Sequence, residues 1–206
     1  MLSDAERNEY LREMFSRTHN DLSDSEPAVA VAVAVASEQF TVRRSLRLLN
    51  PPKDKQATFL RAILSNTCDG VRMEPSIGDK GRGVVATRHF AKGDFVLQYK
   101  GELISRKDAL YREEQYKCMP GVGSYMFHFL FDGKKKCIDA TIEDDGNLAR
   151  LANHDRCGTC RPVLFTIKGA PRIILLAATD IATGTEITYD YFDRDRETIK
   201  DFPWLA

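Results

Sequence analysis

Two short apolar runs, each broken by a tight turn signal, constrain this chain more than any other feature. YMFHFLF (Tyr125 to Phe131) meets KKKCIDAT through Asp132-Gly133. VLFTI (Val163 to Ile167) meets RIILLAAT (Arg172 to Thr179) through Lys168-Gly169-Ala170-Pro171. Aromatic and β-branched side chains suit a pleated surface, and Asp-Gly suits the positive φ of a short hairpin turn. Both pairs are therefore expected as hairpins. GVVATR (Gly83 to Arg88) and DFVLQY (Asp94 to Tyr99), separated by AKG, read as further short strands. No regular alternation of strands with helices is visible, which argues against a doubly wound sheet. The expected class is mostly β (α+β), with small helices inserted among short strands.

The helices are placed by spacing. A polar helix is expected over Arg106 to Lys117 and a short one over Leu148 to Ala152. Pro51-Pro52 break the chain. After them Ala57, Leu60, Ile63 and Leu64 follow a helical stripe, and Asn66 to Gly70 suits a helix end. Near the start, Ser3 and Glu6 have capping-box spacing, and Leu11, Met14 and Phe15 share one helical face. AVAVAVAVA (Ala28 to Ala36) is apolar at every position, so it carries no amphipathic signal. Residues 1–39 are accordingly read as a tail or linker, expected to be mobile, with residues 40–70 as a basic segment and helix leading into the strands.

Among 206 residues, 30 acids balance 30 bases, so net charge does not select a partner class. The distribution is uneven. Arg43, Arg44, Arg47, Lys53, Lys55 and Arg61 lie close together with only Asp54 among them, and Lys134, Lys135 and Lys136 form a second run. Such runs are usually solvated faces, and they also suit a protein that works on chromatin. The five cysteines are odd in number and lack framework spacing. The acidic start lacks a signal-peptide pattern, and no apolar run approaches the roughly 18 residues of a membrane span. The expectation is a soluble protein of a reducing intracellular compartment, without a membrane partner.

Several local motifs compete for a chemical reading. Gly81-Arg82-Gly83-Val84-Val85-Ala86 fits a dinucleotide fingerprint, but the following residues are β-branched and start no helix to receive a pyrophosphate. The glycines still signal a tight turn or a close ligand. Cys157-Gly158-Thr159-Cys160 is half a zinc site at most, with no cysteine C-terminal to it, and two unligated thiols is the favoured reading. His19, His89 and His128 sit in no constellation. In TEITYDYF (Thr185 to Phe192), strand alternation places Tyr189 and Tyr191 on one side of the chain. Paired strand tyrosines often only pack, so what precedes them decides their meaning.

In order, the chain carries GDKGRGV (Gly78 to Val84), YKGE (Tyr99 to Glu102), GSYMF (Gly123 to Phe127), CIDAT (Cys137 to Thr141), RLANH (Arg150 to His154) and EITYDY (Glu186 to Tyr191). This ordered series resembles the SET-domain protein lysine methyltransferases. FTVRRSLRLL (Phe40 to Leu49) and DFPWLA (Asp201 to Ala206) resemble the flanks of the branch that monomethylates lysine twenty of histone H4. Two departures stand out. Asp155 follows His154 where the family commonly has serine, and the family's xPN tripeptide and post-domain cysteines are missing.

The resemblance implies a SET fold of several small sheets with a knot-like C-terminal crossing. It places the catalytic domain at 71–192 and a cofactor-closing tail at 193–206. It implies S-adenosylmethionine as methyl donor, with no metal. Tyr191 would stand beside the transferring methyl, Tyr189 would line the lysine channel and limit the product to monomethyllysine, and Tyr125 would line both channel and cofactor. Backbone of Lys80, Gly81 and Arg82 would hold the methionine end, Asn153 and His154 the amino group and adenine. Trp204 would stack on the adenine or simply plug the tail. The implied partner is the histone H4 tail in a nucleosome, with DNA contacted by Arg43, Arg44 and Arg47, and the implied setting is nuclear chromatin, the protein acting as a monomer. A catalytically silent SET-like binding module and a methyltransferase for a non-histone lysine are the alternatives.

Overall fold

The computed structural model describes residues 3–17, 46, 48–65, 68–119, 121–123, 125–143 and 146–191. Among the described residues there are three α-helices: α1 (Asp4–Arg17), α2 (Lys53–Ser65) and α3 (Arg106–Lys117). Ten strands follow the chain as β1 (Val71–Glu74), β2 (Gly83–Ala86), β3 (Phe95–Tyr99), β4 (Glu102–Ser105), β5 (Met126–Phe131), β6 (Lys134–Asp139), β7 (Asn153–His154), β8 (Cys160–Ile167), β9 (Ala170–Ala177) and β10 (Thr188–Tyr189). They form three sheets: β1-β2, β4-β6-β5 and β3-β9-β8-β10-β7. The expected mixture of small sheets and short helices is what forms.

Both expected hairpins close through two residues. Asp132 and Gly133 have φ of 48° and 70°, and Lys168 and Gly169 have 49° and 78°. This is the handedness of turn that matches strand twist. Ala170 and Pro171, expected in the second turn, instead start β9, opposite Ile167 and Thr166.

The run IILLA (Ile173 to Ala177) is apolar throughout because this part of β9 is covered on both faces. Ile173 and Leu175 face the main core with Val84, Phe90, Leu97 and Leu164. Ile174 and Leu176 face α2, with Phe59, Ile63, Val163 and Phe165. The buried stripe of α2 differs from expectation. Leu60 and Leu64 are exposed, and Phe59 and Ile63 point inward. The reason is aromatic fit: Phe59 stands edge-on to Phe165 at 6.2 Å and lies 6.3 Å from Phe95. Each such burial contributes about 1.5–3 kcal/mol.

The polar helix α3 lies where expected, capped by Ser105, whose hydroxyl accepts the Asp108 N–H. Its inner face carries a charge beside Ala109, Leu110 and Tyr116. Arg112 is buried, with its guanidinium 2.9 Å from Asp139 and 2.7 Å from Glu102. The Tyr116 hydroxyl donates to Asp139 at 2.7 Å, and the Thr141 N–H donates to its other oxygen at 3.0 Å. Burial opposes the charge on Arg112, but Glu102 and Asp139 outweigh it and raise its pKa.

Residues 4–17 depart from the expected free tail. The capping box forms, with the Ser3 N–H donating to Glu6 at 2.8 Å. Leu11 and Phe15 are then buried against Ile104, Ala109, Tyr116 and Met126. The rest of the expected tail, including Ala28 to Ala36, lies outside the described residues. No described helix is long and apolar enough to cross a membrane.

Asp139→Ala removes the buried partner of Arg112, leaves its guanidinium with the half-exposed Glu102 alone, and takes away the acceptor of the Tyr116 hydroxyl. Unfolding stability is expected to fall by about 3–5 kcal/mol, read from the urea midpoint at constant slope. A loss under about 1 kcal/mol would show that Arg112 is compensated elsewhere.

Candidate active site

The site is built around β10. This two-residue strand lies between β7 and β8 and runs parallel to both, with Thr188 opposite Asn153, and Tyr189 opposite His154 and Cys160. Parallel neighbours cannot come from a hairpin, so the C-terminal segment enters between two earlier parts of the chain. The loop before β8 holds it there. The Thr188 N–H donates to the Thr159 hydroxyl at 3.0 Å, and that hydroxyl donates to the Glu186 carbonyl at 3.0 Å. Gly158 is required by this approach, since a Cβ there would stand 2.6 Å from the Tyr189 Cα. On the far side the Ile187 N–H donates to the Val84 carbonyl at 2.7 Å.

This pairing brings the two expected phenols together. The rings of Tyr189 and Tyr191 lie 4.8 Å apart. Tyr189 is buried and stacks on Phe127 at 6.1 Å, and Phe127 meets Tyr99 at 5.2 Å. The Tyr99 hydroxyl donates to the Tyr125 carbonyl at 3.0 Å. Tyr191 is held from both ends. Its N–H donates to His154 Nδ1 at 3.0 Å, and its hydroxyl donates to the Ala152 carbonyl at 2.7 Å. Because Nδ1 accepts, the bound proton of a neutral His154 sits on Nε2.

A polar rim adjoins the aromatic row. The Asn153 amide donates to Glu186 at 2.9 Å and to the Arg82 carbonyl at 3.3 Å. The other Glu186 oxygen lies 3.6 Å from Lys80 Nζ. Glu143 accepts from Arg82 at 2.7 Å and pairs with Arg150 at 2.9 Å. The hydrogen bond from Arg82 is the main cause that lowers the Glu143 pKa, against the opposing effect of burial. The Arg150 guanidinium in turn lies 3.8 Å from the centre of the Tyr125 ring.

Lys80, Arg82, Tyr125, Asn153, His154, Tyr189 and Tyr191 are thus drawn into one connected region. Trp204, Arg43, Arg44 and Arg47 lie outside the described residues. Sequence reasoning missed Glu186, Glu143 and Tyr99 as members of the region. Glu186 and Tyr99 stood inside quoted motifs, whereas Glu143 follows CIDAT by two positions and had no signal of its own. Asn153-His154 forms the strand β7, and the short helix expected over Leu148 to Ala152 is a 3-10 turn at Leu148–Leu151.

The SET domain family matches this sequence at residues 81–192, more than half of its length. The chain belongs to the SET-domain family. It is 43% identical over 169 residues, 81% of its length, to histone-lysine N-methyltransferase Set8 of Drosophila pseudoobscura. It spans only 24% of that relative, and about half of a Xenopus laevis relative, N-lysine methyltransferase KMT5A-B. Among solved structures, Cryptosporidium SET8 is 26% identical with a TM-score of 0.62, covering 92% of this chain and 94% of that one. The Chaetomium thermophilum polycomb repressive complex 2 bound to S-adenosylmethionine is 29% identical with a TM-score of 0.55, covering 69% of this chain and 17% of that one.

The C-x-x-C segment serves the fold. Cys160 is buried opposite Tyr189, Cys157 is exposed, and none of the five cysteines forms a disulfide. Among the described residues, no cluster of three or more His, Cys, Asp or Glu side chains is arranged to hold a metal ion. Burial pushes the Cys160 thiol up to about 12, so it stays protonated at pH 8, and the thiolate is the reactive form. Cys157 and Cys118 are therefore expected to react with a maleimide at pH 8 while Cys160 does so only after denaturation. Peptide mapping of the labelled native protein checks this, and fast native labelling of Cys160 would contradict the packing.

Proposed function

We propose that this protein is an S-adenosylmethionine-dependent lysine methyltransferase that places one methyl group on a lysine of the histone H4 tail. The observation that carries the reading is the Tyr189–Tyr191 pair held beside Asn153-His154 by the β7–β10 pairing. The Set8 and KMT5A names of its relatives supply the substrate class. Residues 71–192 form the catalytic unit in this reading, flanked by 40–70 and 193–206.

The residues present fit the donor. Around Gly81, with φ of 74°, no heavy atom lies within 4 Å of where a Cβ would stand, so the turn Lys80–Arg82 is open to a ligand. Lys80 and Arg82 supply positive charge for a carboxylate. Asn153 gives its amide hydrogens to Glu186 and to the Arg82 carbonyl, which leaves Oδ1 as an acceptor for an amine. The aromatic faces attract a cation at roughly 0.5–2 kcal/mol each.

When bound, S-adenosylmethionine supplies a sulfonium methyl open to displacement by an amine. The protein's task is then to deliver a neutral lysine amine in line. A free lysine has a pKa of about 10.4, and a dry aromatic channel beside a cation favours its uncharged form. Tyr189, buried against Phe127, forms such a wall. Tyr191 donates its hydroxyl proton to Ala152, so towards the amine and the methyl its oxygen acts as an acceptor. Alignment of this kind is worth several kcal/mol without a general base. The Tyr189 hydroxyl occupies the room that a second methyl would need.

The partner in this reading is the nucleosome, and the setting is nuclear chromatin. Exposed Lys134 and Lys135 at the β5–β6 turn support an acidic partner surface. Arg43, Arg44 and Arg47 are assigned to DNA on charge alone.

The test is purified protein with a labelled methyl donor and core histones, free or in nucleosomes, followed by mass spectrometry of the marked residue. No transfer to H4 would overturn the proposal. Tyr191→Phe is expected to lower turnover by about 100-fold or more while calorimetry still detects donor binding. Tyr189→Phe is expected to yield dimethyllysine, and spectra with monomethyl product alone would remove Tyr189 from product control.

A further inference from the structure

α1 lies outside the residues matched by the SET domain family, and the reaction above uses none of its side chains. It is nonetheless docked with some care. Leu11 is 1% exposed and Phe15 6%. Phe15 stands edge-on to Tyr116 at 5.6 Å, and the Arg112 guanidinium covers its ring at 4.4 Å. Aromatic and cation–π contacts of this kind add to the area buried.

One turn before this apolar anchor, the helix meets the polar rim of the site. The Glu143 N–H donates to Asn8 Oδ1 at 3.1 Å. Glu143 is the carboxylate that holds Arg82 at 2.7 Å and Arg150 at 2.9 Å, and Arg150 lies over Tyr125. Arg7, Asn8 and Leu11 share a cavity of about 30 Å³ with Arg82, Tyr125 and Arg150. A carboxylate that holds two long arginines, Arg82 partly solvated and Arg150 buried, does so best when its own backbone is fixed, because each arginine loses rotamer freedom in the contact. The backbone amide next to that carboxylate is the one α1 fixes.

We propose that α1 forms the outer wall of the donor pocket and that Asn8 is a positioning residue, acting through Glu143 to hold Arg82 and Arg150 against Tyr125. This rests on the reading that Arg82 and Tyr125 face the methyl donor. The helix thereby couples residues far outside the SET match to donor affinity, and leaves the lysine channel at Tyr189 and Tyr191 untouched.

The test uses the full chain, calorimetry with S-adenosylmethionine, and steady-state kinetics with an H4-tail peptide. Asn8→Ala is expected to raise the donor Kd and KM about fivefold, the effect of one neutral hydrogen bond. Its kcat and peptide KM are expected to stay within about twofold of the parent, since α1 touches neither phenol. Asn8→Asp keeps the acceptor oxygen and is expected to restore donor affinity. Phe15→Ala loosens the whole helix and is expected to weaken donor binding at least as much, together with a lower melting temperature. Tyr10→Ala, on the exposed face, is expected to change neither. Donor affinity in Asn8→Ala equal to that of the parent, in a parent that binds donor well, would overturn this inference alone. A parent that takes up no donor would overturn it together with the pocket reading beneath it.

Discussion

Two residues of backbone hold this site together. Thr188 and Tyr189 occupy a slot between β7 and β8, and every distance among the aromatic side chains follows from that register. Side chains alternate along a strand, so a slip of one residue would send Tyr189 and Tyr191 to the opposite face and bring Thr188 and Asp190 inward. Three features oppose the slip. Thr159 bonds to both sides of Thr188, Gly158 leaves no room for displacement, and the Tyr191 N–H is taken by His154. The phenols are therefore placed by the strand that carries them and by its neighbours, with little left to side-chain freedom.

Charge is used in two different ways in the molecule. Arg112 of α3 and Asp139 of β6 are buried together, within a network that also takes in Glu102 and the Tyr116 hydroxyl. Glu143 and Glu186 sit at the rim and each bridges two groups, partly in water. Rim pairs of this sort add little to stability. Their value lies in orientation: Glu186 fixes the Asn153 amide, and Glu143 fixes two guanidinium groups around Tyr125. The overall balance of acids and bases hides this local order entirely.

Local elements were legible where local physics decides them. The turns at Asp132-Gly133 and Lys168-Gly169, the capped helix α3, the Ser3–Glu6 box and the Tyr189–Tyr191 alternation all follow from short-range rules. The inward face of α2 did not, because Leu60 is as apolar as Phe59 and only the rings of Phe95 and Phe165 distinguish them. The docking of α1 was hidden for a similar reason: Leu11, Met14 and Phe15 describe an apolar stripe without saying what covers it. Asn153-His154 was legible only as part of an ordered series of motifs. Its pairing with residues more than thirty positions later is a parallel, non-local contact, which no periodicity reports. Glu143 carried no signal at all, since a carboxylate that bridges two arginines looks the same in sequence as one facing solvent.

The position of β10 also sets an order of events during synthesis. Both hairpins, α3 and the β1-β2 pair use neighbours close in sequence, and such contacts form early as a chain leaves the ribosome. The slot between β7 and β8 can be filled only after residue 189 has emerged, and β7, at the edge of the sheet, gains its strand partner only then. A chain ending at Ala177 would carry β1 to β9 in its sequence and neither of the paired phenols. On the function proposed above, the paired phenols are thus completed only when the last strand of the domain is in place.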